Sequence, residues 1–101
     1  MLKRKHKRRY LSIRHAGESR DSVNAIIKRF SELFGSIAVE KAAIRLVQES
    51  RNESIIRCRL DQLENLLVAI TLVDPPVVTI DMSGSIKQLR CRRQSGLVDI
   101  N

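Results

Sequence analysis

Residues 77–93 read VVTIDMSGSIKQLRCRR. Val78, Ile80 and Met82 alternate with Val77, Thr79 and Asp81, the two-residue period of a strand. Ser-Gly-Ser at 83–85 is a tight turn. Ser85 can cap a helix, and Gln88, three residues later, supplies the other half of a capping box. Ile86 and Leu89 then share one helix face. Lys87, Arg90, Arg92 and Arg93 add positive charge, with no acid between Ser83 and Arg93. The stretch therefore predicts a last core strand followed by a short basic helix.

Working backwards, Asp74-Pro75-Pro76 breaks whatever precedes it. Before the break, Asp61 and Glu64 have capping-box spacing, and Leu63, Leu66, Leu67, Ile70 and Val73 make one face of a helix. Val68 and Leu72 lie on a different side. A helix apolar on more than one side is usually covered on more than one side, so these two residues are expected either to be buried deeper in the domain or to form a protein-partner surface. Two strands precede it, Ala42 to Gln48 and Ser54 to Leu60, joined by the polar turn ESRNE at 49–53. Ile44, Leu46, Ile56, Cys58 and Leu60 are expected to point inward, and Arg45, Val47, Ile55, Arg57 and Arg59 outward. Earlier still, Val23, Ile26, Ile27, Phe30, Leu33, Phe34 and Ile37 are spaced as a helix face capped by Asp21 or Ser22. Arg9 to His15 is a short alternating strand with Leu11 and Ile13 inward. His15 reads as a surface histidine.

The order β-α-β-β-α-β, with right-handed crossovers, predicts an α+β, ferredoxin-like (RRM-like) split arrangement. It has a four-stranded antiparallel sheet, two helices on one face, and a C-terminal basic helix. Ile55, Val47 and Val77 form an apolar patch on the opposite face, which Ile86 and Leu89 can cover. That would fix the last helix's cations at the sheet edge. Residues 1–8 are expected to be a basic disordered arm, 9–93 the domain with its terminal helix, and 94–101 a tail.

Charge points to a polyanionic partner. The net charge is +8, but it is segregated. Residues 1–14 hold seven Lys/Arg and no acid, and residues 84–93 hold four and no acid. The 69 residues between them carry eight basic and ten acidic groups. Such segregation is the footprint of a nucleic-acid binder. Lys3, Arg4, Lys5, Lys7, Arg8, Arg9, Lys87, Arg90, Arg92 and Arg93 are the candidate RNA-binding residues. Base readout by stacking needs aromatics on the central strands, and Tyr10 alone is available there. Phosphate and shape recognition fits better. Other classes fare worse. Two cysteines, Cys58 and Cys91, far apart in sequence, suggest neither a disulfide framework nor a zinc site. No apolar run of about 18 residues or more predicts a membrane span. The basic N-terminus is followed by no apolar signal core. An acylphosphatase-like enzyme would need an anion-cradling loop at residues 16–22, and AGESRDS lacks the glycine-rich character. No protein-bound cofactor or metal and no catalytic residue is expected, and the expected location is cytoplasmic.

With RRYL at 8–11, FSELFG at 30–35, IIRCRL at 55–60, the apolar second helix and MSGSIKQLRCRR at 82–93, nearly the whole chain resembles one family. This is the archaeal ribonuclease P protein component 2 family, related to a small eukaryotic ribonuclease P/MRP subunit. The resemblance implies a non-catalytic subunit of ribonuclease P, which removes the leader from precursor tRNA. Its cleavage centre is RNA, with the metal ions on the RNA. It implies as partners the ribonuclease P RNA, the TIM-barrel-like protein component 3 and, indirectly, precursor tRNA. It leaves room for a homodimer or a heterotetramer. The alternative is another ribonucleoprotein component of the same fold, of ribosomal type.

Overall fold

The computed structural model describes residues 7–91. Lys3, Arg4, Lys5, Arg92, Arg93 and the tail at 94–101 lie outside them. The elements run β1 (Arg8–Arg14), α1 (Ser19–Phe34), α2 (Ser36–Ala42), β2 (Arg45–Ser50), β3 (Glu53–Arg59), a 3-10 turn (Leu60–Gln62), α3 (Leu63–Thr71) and β4 (Val78–Ser83). Residues 86–91 are helical and are called α4. The sheet order is β2-β3-β1-β4 with antiparallel neighbours throughout. This is the ferredoxin-like fold expected from the sequence.

The main core lies between one face of the sheet and helices α1 to α3. Leu11, Ile13, Ile26, Phe30, Ile56, Cys58, Leu66 and Ala69 are essentially inaccessible to solvent. Leu11 stands opposite Ile56 in the register, so the two central strands meet the helices with large aliphatics. Burying a side chain of this size stabilises by about 1.5–3 kcal/mol.

Three local features depart from the simple periodic reading. The first is the end of α1. The apolar spacing continues through Ile37, but Gly35 adopts φ 93 and a separate helix, α2, follows. Few residues other than glycine take that conformation without strain. The chain turns there, leaving Leu33, Phe34 and Ile37 at 42, 36 and 70% exposure rather than in the core. Phe34 keeps a tilted ring contact with Phe30 at 5.1 Å.

The second is a pair of β-bulges. In β4 the register slips between Ser12 and Ile13 of its partner, at Ile80. Val77 therefore packs into the main core, while Val78 is 60% exposed and Met82 40% exposed. The inward placement of Val78, Ile80 and Met82 is reversed at its start, and Val77 leaves the outer patch assigned to it. In β2 a bulge at Val47 shifts Gln48 to stand opposite Ile55. Strict alternation would have turned Gln48 inward. A single extra residue re-aims every side chain beyond it.

The third is the start of α3. Asp61 does not cap it. The chain makes a 3-10 turn first, the N-cap position falls on Gln62 without a side-chain hydrogen bond, and Asp61 pairs with Arg59 at 2.9 Å.

Candidate nucleic-acid interface

The second face of the sheet is crossed by α4. Its start is built much as the sequence suggests, with one substitution of partners. The Gln88 N–H donates to Ser85 Oγ at 3.4 Å, the capping half of the box. The Gln88 side chain does not return to the Ser85 backbone. It accepts a hydrogen bond from Ser83 Oγ at 3.1 Å, and that hydroxyl also accepts from the Ser85 N–H at 3.1 Å. Ser83, the last residue of β4, thus ties the helix to the strand.

At the other end of α4, Arg90 Nε donates to Gln48 Oε1 at 2.6 Å. Gln48 belongs to β2, the opposite edge of the sheet from β4. The helix therefore spans from one edge to the other. Leu89 is fully buried and Ile55 is 4% exposed, and neither belongs to the main core cluster. Ile55, Ser12 and Gln48 form one row on this face, and Leu89 closes over it. The expected cover for Ile55 is present, and it holds Lys87 and Arg90 on the exposed side of the helix.

Beside that covered row runs a second one. Arg45 pairs with Arg57, Arg57 with Tyr10, and Tyr10 with Ser83. Beyond it Arg8 pairs with Arg59. Residues paired across strands share a face, so one end of this face is a block of guanidinium groups. Lys7 enters there, its carbonyl accepting from the Leu60 N–H at 2.8 Å. Arg9 is folded back onto the turn after β4: a Cβ at Gly84 would lie 3.0 Å from Arg9 Nη1. The two basic stretches, far apart in sequence, are thus neighbours in space. Lys7, Arg8, Arg9 and Lys87 gather at one end of the molecule, Arg9, opposite Cys58 in the register, on the side of the helices and Arg8 with Lys87 and Arg90 on the outer face. Arg45 and Arg57 join them there. They were legible only as outward-facing strand residues, because their opposition follows from the pairing register.

Asp61, on Arg59, and Asp81, opposite Ser12, lie close to this block, while two other acids are at the far end. Glu53 pairs with Arg14 at 3.3 Å and Glu49 with Arg20 at 3.6 Å, both at the end of the sheet that carries the β2-β3 hairpin. Val68 and Leu72 are 45 and 52% exposed on α3, in the helical layer and away from the cationic face.

His15 is not on the surface. It is 4% exposed, with Nδ1 2.8 Å from the Gly17 carbonyl and Nε2 2.7 Å from Ser54 Oγ. A carbonyl only accepts, so Nδ1 carries a proton. Ser54 Oγ is 2.6 Å from Ser19 Oγ. The two serines and the histidine resemble a nucleophile–base pair. However, the hydroxyls are buried, and the ring is oriented by a carbonyl rather than a carboxylate. The cluster fastens β1 to β3 and to the start of α1. Among the described residues no group of three or more His, Cys, Asp or Glu side chains could hold a metal ion.

One chain in a cryo-EM structure of yeast ribonuclease MRP has the same fold. The match covers 98% of this chain and 98% of that one, with a TM-score of 0.64 and 13% sequence identity. No protein-family profile matches the sequence, and no curated protein matches it. At this identity the likeness speaks for the fold.

Proposed function

We infer that the protein is a non-catalytic, RNA-binding subunit of a ribonucleoprotein nuclease of the ribonuclease P/MRP type. More specifically, it is a ribonuclease P subunit acting in removal of the leader from precursor tRNA. The observation that carries this reading is the merging of both basic stretches at one end of the molecule, beside a sheet face that α4 caps. A capped sheet leaves little room for reading several bases, whereas clustered guanidinium and ammonium groups neutralise phosphates that a folded RNA brings close together. Lys7, Arg8, Arg9, Lys87 and Arg90 take backbone contacts, joined by Lys3, Arg4, Lys5, Arg92 and Arg93 from the two flanking segments. The sequence resemblance and the fold of a ribonuclease MRP chain support the assignment to this class of particle. Val68 and Leu72 provide a surface for a protein partner, the TIM-barrel-like component 3 in this reading.

The test is reconstitution of precursor-tRNA cleavage by ribonuclease P RNA alone, with component 3, and with both proteins. Stimulation by this chain is expected only when both proteins are present, and a Lys87→Gln/Arg90→Gln variant should stimulate less. Binding to the RNA should weaken roughly tenfold per doubling of salt if about four phosphates are engaged. A stimulation indifferent to those substitutions and to salt would overturn the reading. Co-purification with ribosomal particles would favour a ribosomal-type role instead.

A further inference from the structure

Charge on the outer face of the sheet is sorted along β2 and β3, while β4 contributes Asp81 opposite Ser12. At the hairpin end every acid facing the strands has a cation, Glu53 with Arg14 and Glu49 with Arg20. At the opposite end Arg45 stands directly across from Arg57. Asp61, the first acid after β3, is engaged with Arg59. Among the described residues neither Arg45 nor Arg57 has an anionic partner. Like charges directly opposed across two strands destabilise a sheet, so an anion placed between them relieves the fold as well as binding to it. Planar guanidinium forks suit phosphate oxygens.

Tyr10 is the next residue in the same row, on the adjacent strand. Neighbouring strands are about 4.8 Å apart, so Tyr10 is one strand spacing from Arg57 and two from Arg45. The next row along, Ile55 and Ser12, is buried beneath α4. Ser83 at the β4 end of the Tyr10 row is also buried and Tyr10 is half-buried, so what stays accessible is at most one aromatic ring wide, with Arg57 and Arg45 on its other side. A ring with phosphate-binding groups at its flank is the arrangement that holds unpaired nucleic acid, since a base inside a duplex hides the faces that would stack.

We propose that the Arg45–Arg57–Tyr10 row binds one unpaired nucleotide of RNA, its phosphate between the two guanidinium groups and its base stacked on Tyr10. This rests on the RNA-binding reading and assigns single-stranded RNA as the ligand of this part of the face. The site differs from the duplex-tolerant phosphate contacts of Lys87 and Arg90, because it alone uses a base.

The experiment exploits composition: the chain has one tyrosine and no tryptophan, so its intrinsic emission comes from Tyr10. The full chain is titrated with a uridine decamer and, separately, with a blunt RNA duplex, following both tyrosine emission and anisotropy of labelled RNA. The decamer is expected to quench Tyr10, and the duplex to bind without quenching it. Tyr10→Leu should weaken the decamer roughly tenfold, with Tyr10→Phe close to the parent, and leave the duplex unchanged. Arg45→Gln and Arg57→Gln should each lower the salt slope for the decamer by about 0.7. Unchanged emission at saturating decamer overturns the site while leaving RNA binding standing, as does equal weakening of both RNAs by Tyr10→Leu. Failure of both RNAs to bind in a salt-dependent way overturns the RNA-binding reading and this site with it.

Discussion

Replacing Leu89 by alanine should undock α4 without unfolding the domain. Leu89 is fully buried, but it lies on the outer face of the sheet, outside the cluster that joins the sheet to α1, α2 and α3. Its burial is worth about 2 kcal/mol, and removing it leaves a void against Ile55 that adds to the loss. A domain core would have to absorb that loss. A single short helix tied down by one aliphatic side chain, the Ser83–Gln88 hydrogen bond and the Arg90–Gln48 hydrogen bond can simply come away. A shift of about 2 kcal/mol moves the docking equilibrium by roughly 30-fold. Hydrogen exchange should show the amide of Leu89 losing protection, while amides of β1 and β3 that pair within the sheet keep theirs. Affinity for the RNA should fall about as far as in Lys87→Gln/Arg90→Gln, because the cations remain but are no longer held in place. Retained protection at Leu89, or unchanged affinity after undocking, would refute the claim that this one contact positions the cations.

Four further outcomes follow from packing, burial and backbone geometry. The thiol of Cys58 is pushed up from its ordinary 9.0 to about 11, first by burial and then by Asp61, with Arg9 acting the other way. A thiol reagent at pH 8 should therefore modify exposed Cys91 and spare Cys58 until denaturant is added. Because unfolded Cys58 loses its proton first, its contribution to stability is intact below pH 9 and declines as pH rises toward 11; a Cys58→Ala variant should lack that decline in urea titrations. Ser54→Ala removes the nearer hydroxyl from His15 Nε2, leaving Ser19 Oγ at 3.5 Å, and should cost about 1–3 kcal/mol by urea midpoint. Ala43, at φ 50 after α2, is an alanine in a left-handed position, so Ala43→Gly should raise stability by about 0.5–1 kcal/mol in the same assay.

The element order and sheet topology were legible because both depend on average periodicity. Leu11, Ile13, Ile56 and Cys58 alternate cleanly, and Val23, Ile26 and Phe30 keep helical spacing up to Gly35. What could not be read were the places where one residue changes the phase. Val77 and Val78 are chemically identical, so only the bulge in β4 decides which enters the core. Leu33, Phe34 and Ile37 continue a helical pattern that a positive φ at Gly35 interrupts. The cationic arms were visible as charge runs, but Arg45 and Arg57 are separated by eleven residues and become opponents only through the pairing of β2 with β3. His15 looked solitary because Ser19 and Ser54 approach it from a helix start and another strand.

The closeness of Arg9 to Gly84 bears on how the protein can be handled. An affinity tag or fused fluorophore placed ahead of Lys7 would start alongside the end of β4, beside the cationic end. The Arg51–Asn52 hairpin tip is at the far end of the strands. A reporter inserted there would leave the cationic rim open, which makes it the position to choose for immobilising the chain.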